Sequence, residues 1–265
     1  MLLHSLPLIG AGLVAGFLAG LLGIGGGIVT IPALFLVYAE IDVPLEWRMH
    51  VAIATSLTII IATNMSSVWA HHGKGGVDWT IVKDWWWAIA IGAVVGSSFA
   101  KTLKTVELVY FFATLAAFLA AKMLLPLDRW RIGDDLPRGA FRFFGPGLIG
   151  FFSAVMGIGG GSFSVPYMTL FGVPIHRAVG TAALAGLVIS VSAGLGYLFG
   201  GWNIEGMPLG TAGFIHLPSA FVVAIAAVIM APVGAKVAHR LPKRLLSIAF
   251  GLFLVLATVR LVTAV

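Results

Sequence analysis

Ten apolar segments separated by short polar turns account for most of the chain. A helix needs about 20 residues to cross the hydrocarbon core of a membrane, and two of the segments, residues 28–38 and 162–171, are about half that length. The full set comprises residues 8–22, 28–38, 51–70, 85–100, 106–125, 143–156, 162–171, 178–199, 214–235 and 245–262. The pattern predicts an all-α polytopic membrane protein in which two helices cover only half of the bilayer.

A glycine-rich stretch stands directly before each short segment. Residues 23–27 and residues 157–161 both have the sequence Gly-Ile-Gly-Gly-Gly, and we name them the first and the second glycine motif. Each glycine weakens a helix by roughly 1 kcal/mol relative to alanine. We therefore predict that a helix ends at each motif and that a short helix begins after it.

The glycine motifs belong to a longer internal repeat. Residues 50–56 (HVAIATS) align with residues 176–182 (HRAVGTA), and residues 96–103 align with residues 234–241. Three landmarks in the same order indicate a duplication. A polar stretch rich in arginine and aspartate separates the two halves. We predict a first transmembrane repeat over residues 1–125, a polar linker over 126–141 and a second transmembrane repeat over 142–265, each repeat a glycine-broken helical hairpin plus three transmembrane helices.

The distribution of lysine and arginine separates two possible topologies, because these residues mark the cytoplasmic side. If the short segments simply crossed the membrane, eight spans would divide the 16 cationic residues evenly. If each motif is the tip of a hairpin, re-entrant or made of two short crossings, one side keeps only Arg48, Lys101, Lys104 and Arg260. The uneven count favours inverted repeats, with the linker cytoplasmic and both termini outside.

Composition excludes several classes of protein. The chain is 60% hydrophobic and 10% charged, with a mean hydropathy of +1.05, which a soluble domain of 265 residues could not maintain. It has no cysteine, so disulfides and thiolate chemistry are excluded. The net charge of +6 is explained by cytoplasmic loops, and we expect no nucleic-acid partner. The acidic residues all lie in or beside polar breaks, which weakens the case for a cation site or an embedded enzyme.

The glycine motifs are the candidate binding site. Irregular backbone at membrane depth must face protein or a watery cavity, and the N-terminus of a half-helix attracts anions through its free N–H groups and its dipole. Glycine also permits the backbone angles of an anion-binding nest. The alternative is that these glycines only allow close helix packing. Nearby hydroxyl and amide groups could add donors, or could bond within their own helices.

The candidate residues follow from the motifs and the aligned positions. Those proposed for substrate binding are Gly23, Gly25, Gly26, Gly27, Thr30, Thr55, Asn64, Gly157, Gly159, Gly160, Gly161, Ser162, Ser164 and Thr181. His50 and His176 occupy matched span entrances, where they could cap a helix, sense pH or carry a proton. We expect no catalytic residue, no metal site and no cofactor.

The two glycine motifs, each with a proline five residues on, the His-x-Ala-x-x-Thr entrances and the sequence GAKVAHRLP at residues 234–242 resemble the TauE/SafE sulfite exporter family of membrane permeases. The resemblance covers nearly the whole chain. It implies a transporter of the bacterial inner membrane that exports sulfite, sulfonates or related small sulfur-containing anions. It does not determine which anion is carried.

We therefore expect a secondary transporter that holds a small anion near the midplane between the half-helix N-termini. The alternatives are an anion channel and a transporter of another small anion or of a metal ion. The expected partners are the anionic substrate and the lipid bilayer. The sequence leaves open the oligomeric state, a homodimer included, and the coupling to protons or other ions.

Overall fold

A computed structural model of the chain describes residues 2–22, 26–73, 75–124, 132–139, 141–238 and 243–265. The described residues form ten α-helices and one two-stranded antiparallel sheet. The helices are α1 (Leu2–Leu22), α2 (Gly27–Glu40), α3 (Leu45–His72), α4 (Trp79–Thr102), α5 (Thr105–Leu124), α6 (Phe141–Met156), α7 (Gly161–Leu170), α8 (Ile175–Gly200), α9 (Leu217–Ala238) and α10 (Lys243–Val262). Strands β1 (Thr211–Ala212) and β2 (Ile215–His216) pair directly before α9.

Helix length agrees with a multi-pass membrane protein. Three described stretches combine span length with high hydropathy, namely Leu45–His72, Ile175–Gly200 and Leu217–Gly234. Helices α4, α5 and α10 contain 24, 20 and 20 residues, which gives each about 30 Å or more. Helices α2 and α7 contain only 14 and 10 residues, or about 21 and 15 Å. The two short helices predicted after the glycine motifs are thus confirmed.

Helices α3 and α8 pack together at the centre, and they run in opposite directions. The C-terminal end of α3 lies beside the N-terminal end of α8, since a Cβ on Gly180 would touch the carbonyl oxygen of Gly76. At the other end, Phe214 packs on Trp47 near the start of α3 and on Tyr197 near the end of α8. The buried face of α3 includes Ile53, Leu57 and Ile60. This antiparallel pair forms the core on which the site is built.

The outer helices of each half pack on helices of the other half. Helix α1 packs on α9, α6 packs on α4, and α5 packs on α10. Small residues allow the first two contacts, because a Cβ on Gly16 would collide with the backbone of Ala227 and one on Gly92 with the carbonyl of Gly147. Close backbone approach through glycine is a common way to associate helices in lipid. Each half is therefore held mainly by the helices of the other half.

Polar contacts at one end tie the linker and the helix ends together. The N–H of Ile132, in the linker, donates to the carbonyl of Leu170 at the end of α7 at 2.9 Å. Arg142 forms an ion pair with Asp84 at 2.6 Å, and Arg244 at the start of α10 donates to the carbonyl of Leu124 at 2.7 Å. These contacts place the ends of α5 and α7 and the starts of α4, α6 and α10 at the same side of the molecule.

Candidate functional site

Both short helices begin at a glycine in the left-handed backbone region. Gly26 caps α2 with φ 69° and ψ −18°, and Gly160 caps α7 with φ 74° and ψ −22°. Side chains rarely adopt these angles, whereas glycine adopts them without a steric penalty. The predicted restart at each motif is confirmed at the same position of both motifs. Gly23 and Gly25 lie outside the described residues.

The two motifs touch each other. A Cβ on Gly27 would lie 2.6 Å from the carbonyl oxygen of Gly157 and 3.1 Å from Cα of Ile158. The same carbonyl of Gly157 accepts a hydrogen bond of 3.2 Å from the hydroxyl of Ser56 on α3. The start of α2 therefore packs directly on the turn that carries the second motif.

The second motif is enclosed by the two core helices. On the α8 side, a Cβ on Gly186 would collide with the carbonyl of Gly159, and a Cβ on Gly160 would lie 2.5 Å from Cδ1 of Ile189. On the α3 side, Nδ2 of Asn64 lies 3.2 Å from the Cβ position of Gly159. The motif thus occupies a narrow space between the middle parts of α3 and α8, where only glycine fits.

The start of α7 presents hydrogen-bond donors without acceptors. The carbonyl of Gly160 accepts from the N–H groups of Phe163 and Ser164 at 3.1 and 2.7 Å. The N–H groups of Gly161 and Ser162 come before the first helical bond, and neither has an acceptor in the part of the chain that the structure describes. Within that part, Oγ of Ser162, Oγ of Ser164 and Nδ2 of Asn64 also lack partners. Their side chains are between 0 and 4% exposed.

Three of the predicted hydroxyl groups are already engaged. Thr30 donates to the carbonyl of Gly26 at 2.7 Å. Thr55 accepts from the backbone N–H of His216 at 3.1 Å, and Thr181 accepts from the backbone N–H of Asp78 at 2.9 Å. These threonines hold turns and helix starts in place, and their role as substrate ligands stays a prediction.

The two matched histidines have different surroundings. His50 is buried, its Nε2 lies 3.1 Å from the carbonyl oxygen of Ala100, and its ring stacks on Phe214 at 5.1 Å. His176 is exposed at the start of α8. A proton-coupling role for either residue stays a prediction.

No aspartate, glutamate, lysine or arginine is buried among the described residues. A ligand at the second motif would therefore meet only dipoles: backbone N–H groups, hydroxyl groups and an amide. Such groups bind an anion, since they present the positive ends of their dipoles. A bare metal ion would lack a neutralising carboxylate there.

A cleft of about 370 Å³ opens at the linker side of the molecule. Its lining joins the start of α4, the turn between α7 and α8, and the linker, and includes Leu136 and Val173. At its edge Arg177 forms an ion pair with Asp78 at 2.5 Å. The carboxylate of Asp78 also accepts from the N–H groups of Thr80 and Ile81 and so caps α4.

Gly186 and His216 lie at the site but belong to none of the motifs that mark candidate residues in the sequence. Gly186 lies in the small-residue stretch of α8, and its proximity to Gly159 depends on the packing of α8 against the motif. His216 is the last residue of β2, and its Nδ1 lies 2.7 Å from Oγ of Ser219. If the alignment of residues 96–103 with residues 234–241 is extended towards the N-terminus, it pairs His216 with Asp78. This pairing is the sequence signal that points to His216.

Comparisons with known proteins place the chain among membrane transporters. The model of the sulfite exporter TauE/SafE family matches residues 8–261. A probable membrane transporter protein of Haemophilus influenzae is 32% identical over 250 residues, which cover 94% of this chain and 95% of the relative. A probable membrane transporter protein of Methanocaldococcus jannaschii is 26% identical over 246 residues, which cover 90% and 88% of the two chains.

A further relative is the probable membrane transporter protein YunE of Bacillus subtilis, 26% identical over 210 residues that cover 72% of this chain and 77% of the relative. No solved structure matches the chain. The family match extends over both glycine motifs and all the described core helices, and it confirms the resemblance seen in the motifs. The chain is a multi-pass membrane protein that belongs to the TauE/SafE sulfite exporter family of membrane transporters.

Proposed function

We propose that this protein is a secondary transporter that exports small sulfur-containing oxyanions such as sulfite or sulfonates. The observation that carries the proposal is the group of buried donors without acceptors at the start of α7, with no buried carboxylate or ammonium group beside them among the described residues. Unpaired buried donors cost free energy, and an anion that accepts from several of them removes that cost.

Alternating access is the proposed mode of transport, with the two halves as inverted repeats. Its support is the antiparallel packing of α3 on α8, the similar backbone angles of Gly26 and Gly160, and the packing of the outer helices of each half on helices of the other half. Transporters of this kind bind substrate near the midplane, where the repeats meet. The cleft on the linker side is the proposed entrance from the cytoplasm, with the protein in the bacterial inner membrane and both termini outside.

Electrostatics supports export as the proposed direction of transport. An inside-negative membrane potential favours the exit of anions by about 2.3 kcal/mol per charge per 100 mV. The sequence contains no nucleotide-binding motif, so we assign the driving force to this potential and to the substrate gradient. Uniport is sufficient for export under these conditions.

Efflux from proteoliposomes tests the proposal. Vesicles that contain the purified protein are loaded in turn with sulfite, thiosulfate, methanesulfonate or chloride, and the initial rate is measured against internal concentration. We expect saturable efflux of at least one sulfur oxyanion and little efflux of chloride. A rate that rises linearly to high concentration would indicate a channel, and the same rate in protein-free vesicles would contradict transport altogether.

A further inference from the structure

We infer that the substrate anion is held by the second glycine motif together with Asn64, and that the first motif has a packing role. This inference rests on the proposed function and goes beyond it, because it replaces the two equivalent helix starts expected from the sequence with one defined binding site. Three pairs of matched positions distinguish the two motifs. In each pair, the side-chain donor without an acceptor among the described residues lies in α7 or beside its start.

The first pair is Thr30 and Ser164, which both lie four residues after the capping glycine. The hydroxyl of Thr30 donates to the carbonyl of Gly26 at 2.7 Å. The hydroxyl of Ser164 is completely buried and has no partner in the described part of the chain. A buried hydroxyl without a partner costs free energy, so Ser164 is the member of this pair that gains from a bound acceptor.

The second pair is Ile28 and Ser162, two residues after the capping glycine. Both side chains are buried, but only the serine can donate a hydrogen bond. Its Oγ is unpaired among the described residues, and its own backbone N–H lacks an acceptor there as well. The start of α7 therefore offers a side-chain donor at a position where α2 has an apolar side chain.

The third pair is Asn64 on α3 and Ser190 on α8, which align in the duplicated helices. The hydroxyl of Ser190 donates to the carbonyl of Gly186 at 2.8 Å. Nδ2 of Asn64 is unpaired in the described region and lies against the backbone of Gly159 and Gly186. Asn64 thus reaches from the first half of the chain to the motif of the second half.

The first motif packs on the turn of the second motif. Gly27 lies so close to the carbonyl of Gly157 that a Cβ would be 2.6 Å from its oxygen. Ser56 donates to the same carbonyl. The start of α2 and the hydroxyl of Ser56 therefore support the turn of the second motif, and this support holds the start of α7 in place for ligand binding.

The donors around α7 suit an oxyanion with several oxygen atoms. They comprise two backbone N–H groups, two hydroxyl groups and one amide, and no cation lies among them. Each sulfonate or sulfite oxygen can accept more than one hydrogen bond, so such a head group can use donors that arrive from both α3 and α7. The amide of Asn64 is the only one of these donors that comes from α3.

Efflux kinetics of matched variants test this assignment. Asn64→Leu and Ser164→Ala each remove one donor, and Ser190→Ala removes the hydroxyl at the position that matches Asn64. We expect about a tenfold higher KM for sulfite in the first two variants and a KM within twofold of wild type for Ser190→Ala. Asn64→Asp, of nearly the same shape, should abolish saturable efflux, because its carboxylate repels the anion.

Each outcome has a distinct meaning. Folding of every variant is checked by a monodisperse elution profile in detergent. If wild type shows saturable efflux and Asn64→Leu, Asn64→Asp and Ser164→Ala all leave KM unchanged, the assignment to the second motif is overturned while the proposed function stands. If wild type shows no saturable efflux of any sulfur oxyanion, the proposed function is overturned and this assignment with it.

Discussion

The hydroxyl oxygen of Thr55 accepts a hydrogen bond of 3.1 Å from the backbone N–H of His216, a residue 161 positions later in the chain. The reverse relationship joins Thr181 to the N–H of Asp78 at 2.9 Å. Asp78 and His216 stand directly before α4 and α9. Each core helix therefore holds the start of a helix from the other half, so that a shift of α3 against α8 would move α4 and α9 with them.

Replacement of Thr55 by valine should destabilise the protein by about 1–3 kcal/mol, because the buried N–H of His216 would lose its acceptor. Thr55→Ser keeps the hydroxyl and serves as the control. The measurement is thermal unfolding in detergent, with both variants compared with wild type. Equal midpoints for Thr55→Val and Thr55→Ser would show that this bond does not contribute to stability.

Two glycines of α8 should respond in opposite ways to alanine. A Cβ on Gly186 would lie 2.6 Å from Nδ2 of Asn64 and would collide with the carbonyl of Gly159, whereas a Cβ on Gly194 would have no neighbour within 4 Å. We expect Gly186→Ala to cost about 1–3 kcal/mol and Gly194→Ala to leave stability equal or raise it by up to about 1 kcal/mol. Unfolding midpoints compare them directly, and similar losses in both variants would contradict the packing described for the second motif.

Acid should destabilise the protein through His216. Burial lowers the pKa of this histidine below its ordinary value of 6.5, and a hydrogen bond to the backbone of Leu209 opposes the shift only in part. The folded protein therefore binds the proton less tightly than the unfolded chain does. The contribution of His216 to stability is complete above about pH 6.5 and decreases as the pH falls below that value.

The variant His216→Gln removes this titration. We expect the drop in unfolding midpoint between about pH 8 and about pH 5 to be smaller in the variant than in wild type. Nearby groups are the ring of Tyr38 at 5.8 Å and the hydroxyl of Ser219. An identical drop in both proteins would assign the acid sensitivity to other residues.

Cysteine labelling tests the inverted arrangement of the repeats. The chain has no cysteine of its own, so Asp135→Cys in the linker and Ala264→Cys near the C-terminus each provide one reactive site. Both positions are exposed. In intact cells a membrane-impermeant maleimide should label the cysteine at position 264, and should label that at position 135 only after the membrane is permeabilised. Equal labelling of both in intact cells would contradict opposite sides for the linker and the C-terminus.

Local sequence was sufficient to predict where the helices break. Four glycines in five residues lower helix stability wherever they occur, and α7 does begin after Gly160 in the left-handed region. The same pattern predicts that α2 and α7 are short, because each begins at a glycine motif and ends at the next polar turn. These features depend on near neighbours in the chain, which sequence displays directly.

The use of each polar side chain was beyond prediction from sequence, because it depends on distant partners. Thr55 and Asn64 look alike as small polar residues in one apolar helix. The structure gives Thr55 a partner from the other half of the chain and leaves Nδ2 of Asn64 without one among the described residues. The difference arises from the packing of α3 between the second glycine motif and the hairpin before α9, which no local pattern encodes.

The central claim is that a small oxyanion crosses the membrane through the glycine-capped start of α7. Its most direct test is sulfite efflux from proteoliposomes that contain either wild type or Gly160→Val, with Gly194→Ala as the folded control. Valine at position 160 cannot adopt the left-handed angles without strain and would meet Cδ1 of Ile189. We predict saturable efflux for wild type and Gly194→Ala and background efflux for a monodisperse Gly160→Val. Wild-type efflux rates in Gly160→Val would contradict the claim.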